Sequence, residues 1–437
     1  MTSYRTNRLT LLATALCLGS AVRCFAVATP AQINDAFGIA LLSAMPFFEE
    51  DATAVAKRLG LKNESTTEYG AIWRGSPARF AHFDVPEIRL FGTQNSAREL
   101  SVNLINKGDF FSRDAILKTA KELDPTGRRY RRGVFTGGRI PPKINGAMTR
   151  RFKQSFADRE RRIATMLTRL FGESRNQVMR QDRRRRVQRW DWEAAAFLLD
   201  KVEGDFLIVR LLSSAKADKG GRAERISDGI VRSSLRDNVT QRENGDVMIM
   251  NVPMVNQGEK GYCGVASAER VLRYFAIPVD SHQLANLTNT DKFGGTEISE
   301  LETILSAITR RHKRRFDRLG SDLKMTSVKR RIDNGIPILW GMYLTPAIEQ
   351  AVKNRQAHRP DYAPQEWREI LRTEYRTMRR VKANHYGGHL RLILGYNDLT
   401  REIAYSDSWG SQTDVFWISE AEARKITIAN ALFVIVP

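Results

Sequence analysis

Apolar residues recur at helical spacing from Ala31 to Met45, then give way to strand-like alternation at Gly70–Trp73, Ala78–Phe83 and Leu100–Ile105. Met148 to Phe171 predicts a long, strongly basic helix. Trp190–Leu199 and Phe206–Leu212 flank Glu203-Gly204-Asp205 and predict a hairpin. Residues 213–238 are polar and charged and predict a loop or linker. Beyond them a loop through Val252-Pro253-Met254-Val255 leads to a predicted helix over 264–275, with Val265, Ala268, Leu272 and Phe275 on one face. Thr296–Arg311 and Thr326–Asn334 predict two more helices, the second stopped by Asn334-Gly335. Strands follow at Ile338–Tyr343, His389–Tyr396, Ile403–Asp407, Val415–Ile418 and Ala431–Val436, with Asn397-Asp398 as a turn. The Arg-rich insert Thr345–Ala383 reads as helical, either a lid or a solvated hairpin. Helices precede strands, so the fold class of the C-terminal region is α+β, behind a mixed α and β N-terminal region.

The chain has 437 residues, 42% of them hydrophobic, which suits two domains with real cores. Its start reads as an export signal. Arg5 and Arg8 precede a short apolar stretch, Leu9–Leu18, and Ala26-Val27-Ala28 gives a small-x-small cleavage site before Thr29. No later stretch reaches membrane-spanning length. The domains expected are a signal peptide over 1–28, a basic N-terminal domain over 29–212, a polar linker over 213–245 and a C-terminal domain over 246–437. Location is therefore expected to be exported, periplasmic or secreted. Of three cysteines, Cys17 and Cys24 fall in the signal and Cys263 is left alone. A lone thiol in an oxidising compartment is either a small buried apolar residue or a reactive one.

Cys263 lies where a loop enters a helix, and helix-end amides and the helix dipole favour a thiolate there. Gly261 and Gly264 leave room for a substrate backbone, and Gln257, six residues upstream, is in reach to donate to an oxyanion beside the Cys263 amide. A thiolate nucleophile needs a base. His312 and His358 lie in charged or polar runs, and His282 reads as a neighbour of a helix cap. His389 differs: Gly387-Gly388 precede it and an apolar strand follows, with Asp407 at the end of the next strand, where it can orient the imidazole. His385 and His389 are four apart, but the glycines between them argue against a helical metal pair, so no metal and no cofactor are expected.

The segment Gln257-Gly258-Glu259-Lys260-Gly261-Tyr262-Cys263-Gly264 resembles the papain-superfamily motif in which an oxyanion-hole Gln precedes the nucleophilic Cys. Asp407-Ser408-Trp409-Gly410 resembles the Asn-Ser-Trp-Gly segment of those enzymes, with Asp for Asn. Together with Gly387-Gly388-His389 this is most similar to the bacteriocin-processing, double-glycine-leader cysteine peptidases of family thirty-nine, over about residues 250–437. The resemblance implies a papain-like domain, with a helical half carrying the Cys and an antiparallel sheet half carrying the His and Asp. It implies hydrolysis of peptide bonds by a Cys263–His389–Asp407 triad, with a peptide or protein as partner. It also implies that Asn in place of Asp407 keeps substantial activity. Two departures stand out. Gly264 replaces a bulky aromatic after the nucleophile, and no transporter accompanies the peptidase, so a double-glycine leader is a doubtful substrate. An amidase, isopeptidase or acyltransferase would use the same fold. A third reading is a non-catalytic envelope protein that binds through its basic region.

Of the net charge of +21, about +13 falls on residues 29–245, where Arg183–Arg186 form a run. The run reads either as a solvated face or as a polyanion contact. If the charge serves an anionic surface or polymer, residues 29–245 bind heparin or anionic vesicles at low salt and release them as salt rises. Absence of binding at low salt would reduce the arginine content to composition.

Overall fold

Alternation along the N-terminal strands separates an apolar face from a charged one. A computed structural model describes residues 28–437 except 76–77, 94, 128–139, 181–183, 223–225, 291–294, 386 and 410–414. The expected signal, Arg183 and Gly410 thus lie outside the described residues, apart from Ala28. The first sheet is eight-stranded and antiparallel, two runs of four strands joined at Ser96–Asn106 and Phe206–Ser213, in the order Lys62–Thr67, Gly70–Gly75, Glu87–Thr93, Ser96–Asn106, Phe206–Ser213, Ala195–Val202, Arg185–Trp192, Arg175–Met179. Ile88, Leu90, Leu100, Val102, Leu207 and Val209 point to one side, where Met148, Phe152, Phe156 and Leu167 of the helix Pro142–Phe171 complete a core. Glu87, Arg89, Glu99, Asn103 and Arg210 point to the other side, yet all are buried.

That charged face is covered by the C-terminal part of the chain. Arg89 lies 3.4 Å from Glu87, 3.4 Å from Glu269 and 3.7 Å from Asp280. His282 Nε2 lies 2.8 Å from Glu87 Oε1 and 2.8 Å from Asn103 Nδ2. Burial by itself would raise the carboxyl pKa of Glu87, but Arg89, Arg74 and His282 hold it well below its ordinary value. His282 therefore sits inside an interface, not merely beside a helix cap.

The second sheet centres on the strand Gly388–Asn397. One edge is shared end to end by Ile338–Tyr343 and Asp246–Ile249, and the other pairs with Glu402–Ser406, which in turn pairs with Val415–Ser419. Thr427–Val436 and Arg315–Arg318 extend the sheet beyond Ile338–Tyr343. The helix Cys263–Tyr274 packs on the sheet, with Val265, Ala268, Val271 and Leu272 in the core. The whole is mixed α and β.

Several expectations need correction. The first helix covers only Pro30–Phe37, because Gly38 turns left-handed at φ 65° and ends it. Trp190–Leu199 is not one strand: the chain turns at Glu193, φ 49°, between Arg185–Trp192 and Ala195–Val202. Residues 213–238 are not a plain loop. They include the helices Ser214–Asp218 and Asp228–Asp237, the latter burying Val231 and Leu235 in the second core. Within the arginine run, Arg185 is not simply solvated, since its guanidinium grips the buried Asp200 at 3.1 and 2.9 Å. The Arg-rich insert forms the helices Pro346–Gln356 and Pro364–Met378, docked and not free: Ile348, Val352, Trp367 and Leu371 are buried, and Arg355 grips Glu422 at 3.0 and 2.7 Å.

Replacing Arg89 by Met keeps bulk but leaves Glu87, Glu269 and Asp280 without their shared cation. Arg89→Met should cost about 3–5 kcal/mol of stability, read as a lower urea midpoint at neutral pH. An unchanged midpoint would show that the cluster does not hold the two parts together.

Candidate active site

Cys263 is the first residue of its helix, and the N-cap residue Tyr262 makes no side-chain cap hydrogen bond. The N-cap side chain therefore takes none of the opening amides of the helix, and the helix dipole acts on the thiol. Cys263 is half-buried. The space beside Gly264 is tight: a Cβ there would lie 3.2 Å from both Cβ and Oγ1 of Thr296 and 3.8 Å from Leu301, so a larger residue would need Thr296 to give way. A bulky aromatic after Cys263 would meet Thr296 at once, in keeping with the glycine found there.

His389 and Arg391 are two apart on one strand and so share a face. The register that sets Leu392 opposite Ser406 places Asp407, the next residue, across from them. Asp407 Oδ1 lies 2.9 Å from His389 Nε2 and also accepts from the Ser408 amide at 2.7 Å. Its Oδ2 accepts from Arg391 Nε at 2.7 Å. Because Asp407 holds Nε2, Nδ1 is the ring nitrogen left for Cys263. The indole of Trp409, 51% exposed, covers the imidazole at 4.6 Å between ring centroids.

The helix and the sheet are tied together at this point. Ser267 Oγ donates to the Leu390 carbonyl at 2.9 Å. Arg270, fully buried, donates to the carbonyls of Pro253 and Asp407 at 2.9 and 2.8 Å and to Ser406 Oγ at 2.9 Å. Burial in this carbonyl-lined site pushes the Arg270 pKa down to about 10.

Gln257 is fixed from three directions. Its backbone N–H donates to the Ser408 carbonyl at 2.8 Å, its Oε1 accepts from Ser408 Oγ at 2.7 Å, and its Nε2 donates to the Lys260 carbonyl at 3.2 Å. The N-terminal part of the chain braces the same loop. Lys260 reaches Asp109 at 2.7 Å, Arg74 donates to the Asn256 carbonyl at 2.8 Å, and the Asn256 amide donates to Glu64 at 3.2 Å. A Cβ on Gly108 would lie 2.8 Å from the Tyr262 ring, so the two surfaces meet at glycine distance.

The charges agree with the geometry. Burial would raise the Cys263 thiol pKa, but hydrogen bonding and charge from His389 bring it below its ordinary value, helped by the Leu390 amide. Burial would lower His389, but Asp407 and Cys263 raise it to about 9. Asp407, despite burial, is held well below the usual carboxylate range by His389 and Arg391. Such a site favours a thiolate beside an imidazolium near neutral pH.

All four residues singled out in the sequence, Cys263, His389, Asp407 and Gln257, are thus gathered around one helix end. His385 is elsewhere, its ring 4.6 Å from that of Tyr343. Sequence reasoning missed Arg270, Arg391, Glu349 and Ser408. A charge at Arg391 inside the apolar run Leu390–Leu394 was the available signal, as was Arg270 among Val265, Ala266, Ala268 and Val271. Among the described residues no group of three or more His, Cys, Asp or Glu side chains is arranged to hold a metal ion.

Comparison with known proteins bears on the same stretch. No curated protein matches the chain. The Peptidase_C39 like family model, however, matches residues 249–426, a span that opens ahead of Gln257 and closes beyond Asp407. Over residues 249–426 the chain is therefore similar to the Peptidase_C39 like family.

Proposed function

We propose that the protein is an exported cysteine peptidase, with Cys263 as nucleophile, His389 as base and acid, Asp407 as the group that orients His389, and Gln257 as an oxyanion donor. The observation that carries this reading is His389 bound through Nε2 to Asp407, with Cys263 as its other partner. The Cys263 thiolate attacks the carbonyl carbon of a peptide bond. The oxygen that gains the charge accepts from the Cys263 amide at the helix end and from the second N–H of Gln257 Nε2. His389 then gives the proton it took from the thiol to the leaving amine, and an acyl-enzyme remains. Water, deprotonated by His389, releases the acid and restores the thiol. The triad by itself does not choose among peptide, isopeptide and simple amide acceptors. Among the described residues no helix is long and apolar enough to cross a membrane. Anionic surfaces or polymers are proposed as a further partner of the basic N-terminal part.

Cys263→Ala should abolish hydrolysis of a denatured protein substrate such as casein while leaving the melting temperature in place. Gln257→Ala should lower the rate by about 10²–10³. Full activity in a folded Cys263→Ala variant would eliminate the mechanism.

The structure changes what Asn at position 407 should do. Both carboxylate oxygens accept hydrogen bonds, one from His389 and Ser408 and one from Arg391. An Asn that keeps its oxygen toward His389 turns its NH2 toward the Arg391 Nε–H, donor against donor. Leaving a buried donor unmade costs about 1–3 kcal/mol. Asp407→Asn should therefore lose roughly tenfold or more in rate, and Asp407→Ala more still. Near wild-type rates in Asp407→Asn would show that the Arg391 contact is dispensable.

A further inference from the structure

Arg391 is buried, with only 3% of its side chain exposed, and its guanidinium has two carboxylate partners. Nε donates to Asp407 Oδ2 at 2.7 Å, while Nη1 and Nη2 donate to the two oxygens of Glu349 at 2.8 and 2.7 Å. Glu349 stands on the helix Pro346–Gln356, whose Ile348 and Val352 are anchored in the core. The line Glu349–Arg391–Asp407–His389–Cys263 therefore alternates in charge when the site holds a thiolate and an imidazolium. Neither Arg391 nor Glu349 has a part in the hydrolytic steps described above.

We propose that Arg391 and Glu349 are a positioning pair that grips Asp407 from the side opposite His389 and sets how tightly His389 holds its proton. The inference rests on the proposed Cys263–His389–Asp407 reading. Arg391 alone would draw charge from the Asp407 carboxylate and weaken its hold on the imidazolium. Glu349 returns a negative charge from behind and limits that withdrawal, while the two-pronged grip fixes the guanidinium plane. Among the described residues, the other groups facing the line are these. Cys263 and the Leu390 amide lie on the thiol side, and the Trp409 ring covers His389. The Tyr405 ring lies 4.7 Å from the Arg391 guanidinium, with Arg355 acting on Tyr405 from beyond, and Arg270 binds Asp407 through its main-chain carbonyl and acts on its carboxylate by charge.

A charge line makes a prediction that mere bracing does not. Removing Glu349's charge strengthens Arg391's pull on Asp407, so His389 should release its proton at lower pH. Removing Arg391's charge leaves two negative groups behind the imidazolium, so His389 should hold its proton to higher pH. Loosening of a purely structural brace would move both variants the same way. The readout is the pH dependence of Cys263 alkylation by iodoacetate, with the modified peptide identified by mass spectrometry. This anionic reagent reacts fastest when the thiolate stands beside an imidazolium, so the rate should rise below the ordinary thiol pKa and fall again as the imidazolium deprotonates, near the raised His389 value of about 9. Glu349→Gln should move the falling limb down by about half a pH unit, Arg391→Gln should move it up by a similar amount, and the double variant should lie between. Shifts in the same direction, or none, would overturn the proposal. Should Arg391→Gln fail to fold, the near-isosteric Glu349→Gln decides alone, a downward shift supporting the proposal and any other result overturning it. A wild-type protein with no falling limb and an ordinary thiol pKa would instead refute the triad itself, and this inference with it.

Discussion

The pairing of the strands Gly388–Asn397 and Glu402–Ser406 is the constraint on which the site depends. Because Leu392 faces Ser406, Asp407 emerges between two side chains of one strand face. A slip of one residue would turn His389 and Arg391 to the opposite face and leave Asp407 with neither. The bulge between Ile393 and Gly395 sits just beyond this contact, where the strand bends to meet Asp246–Ile249 on its other edge. The arrangement is then bolted to the helix Cys263–Tyr274 by Ser267, through the Leu390 carbonyl, and by Arg270, through Asp407 and Ser406. Helix and strand therefore cannot slide independently without breaking these hydrogen bonds, two of them buried.

The loop that brings Gln257 to Cys263 is held in a different way. On one side Ser408 fixes its amide, and on the other side Glu64, Arg74 and Asp109 fix its backbone and Lys260. Glu64 and Arg74 belong to strands of the N-terminal sheet, and Asp109 to the short helix Lys107–Phe110 that follows the strand Ser96–Asn106. The N-terminal part thus touches the loop from the flank while Cys263 keeps partial exposure. Such contacts suit a permanent scaffold of the site better than a plug drawn across it.

Much of the C-terminal half was legible because its elements are strongly patterned. The helix after Cys263, the strand from His389 and the returning strand before Asp407 each carry an apolar period and a Gly or Asn-Asp boundary. The proposed site of Cys263, His389 and Asp407 followed, since only one cysteine and one glycine-preceded histidine suited the chemistry. Arg391 and Glu349 were not legible as partners, because they are 42 residues apart and meet only through a strand face and a helix docked behind it. The segment 213–238 misled for a related reason. Val231 and Leu235 are thinly spread among charges, and their helix is set by burial against a distant core, which composition does not reveal. The N-terminal sheet was read piecemeal. Strands such as Glu87–Thr93 alternate apolar and charged residues, a pattern that normally marks a wetted face and here marks an internal seam.

That seam bears on how the chain comes together in time. An N-terminal unit whose uncovered face carries Glu87, Arg89, Glu99 and Arg210 is tolerable in water, because those groups hydrate well and present no sticky apolar sheet. The long helix Pro142–Phe171 already closes its greasy side from within the same stretch of chain. A polypeptide emerging from its N-terminus can therefore complete this half first and wait without aggregating until Glu269, Asp280 and His282 arrive to dock. Had the seam been built of leucines, the early half would have been an adhesive surface during the interval when its partner was still unmade.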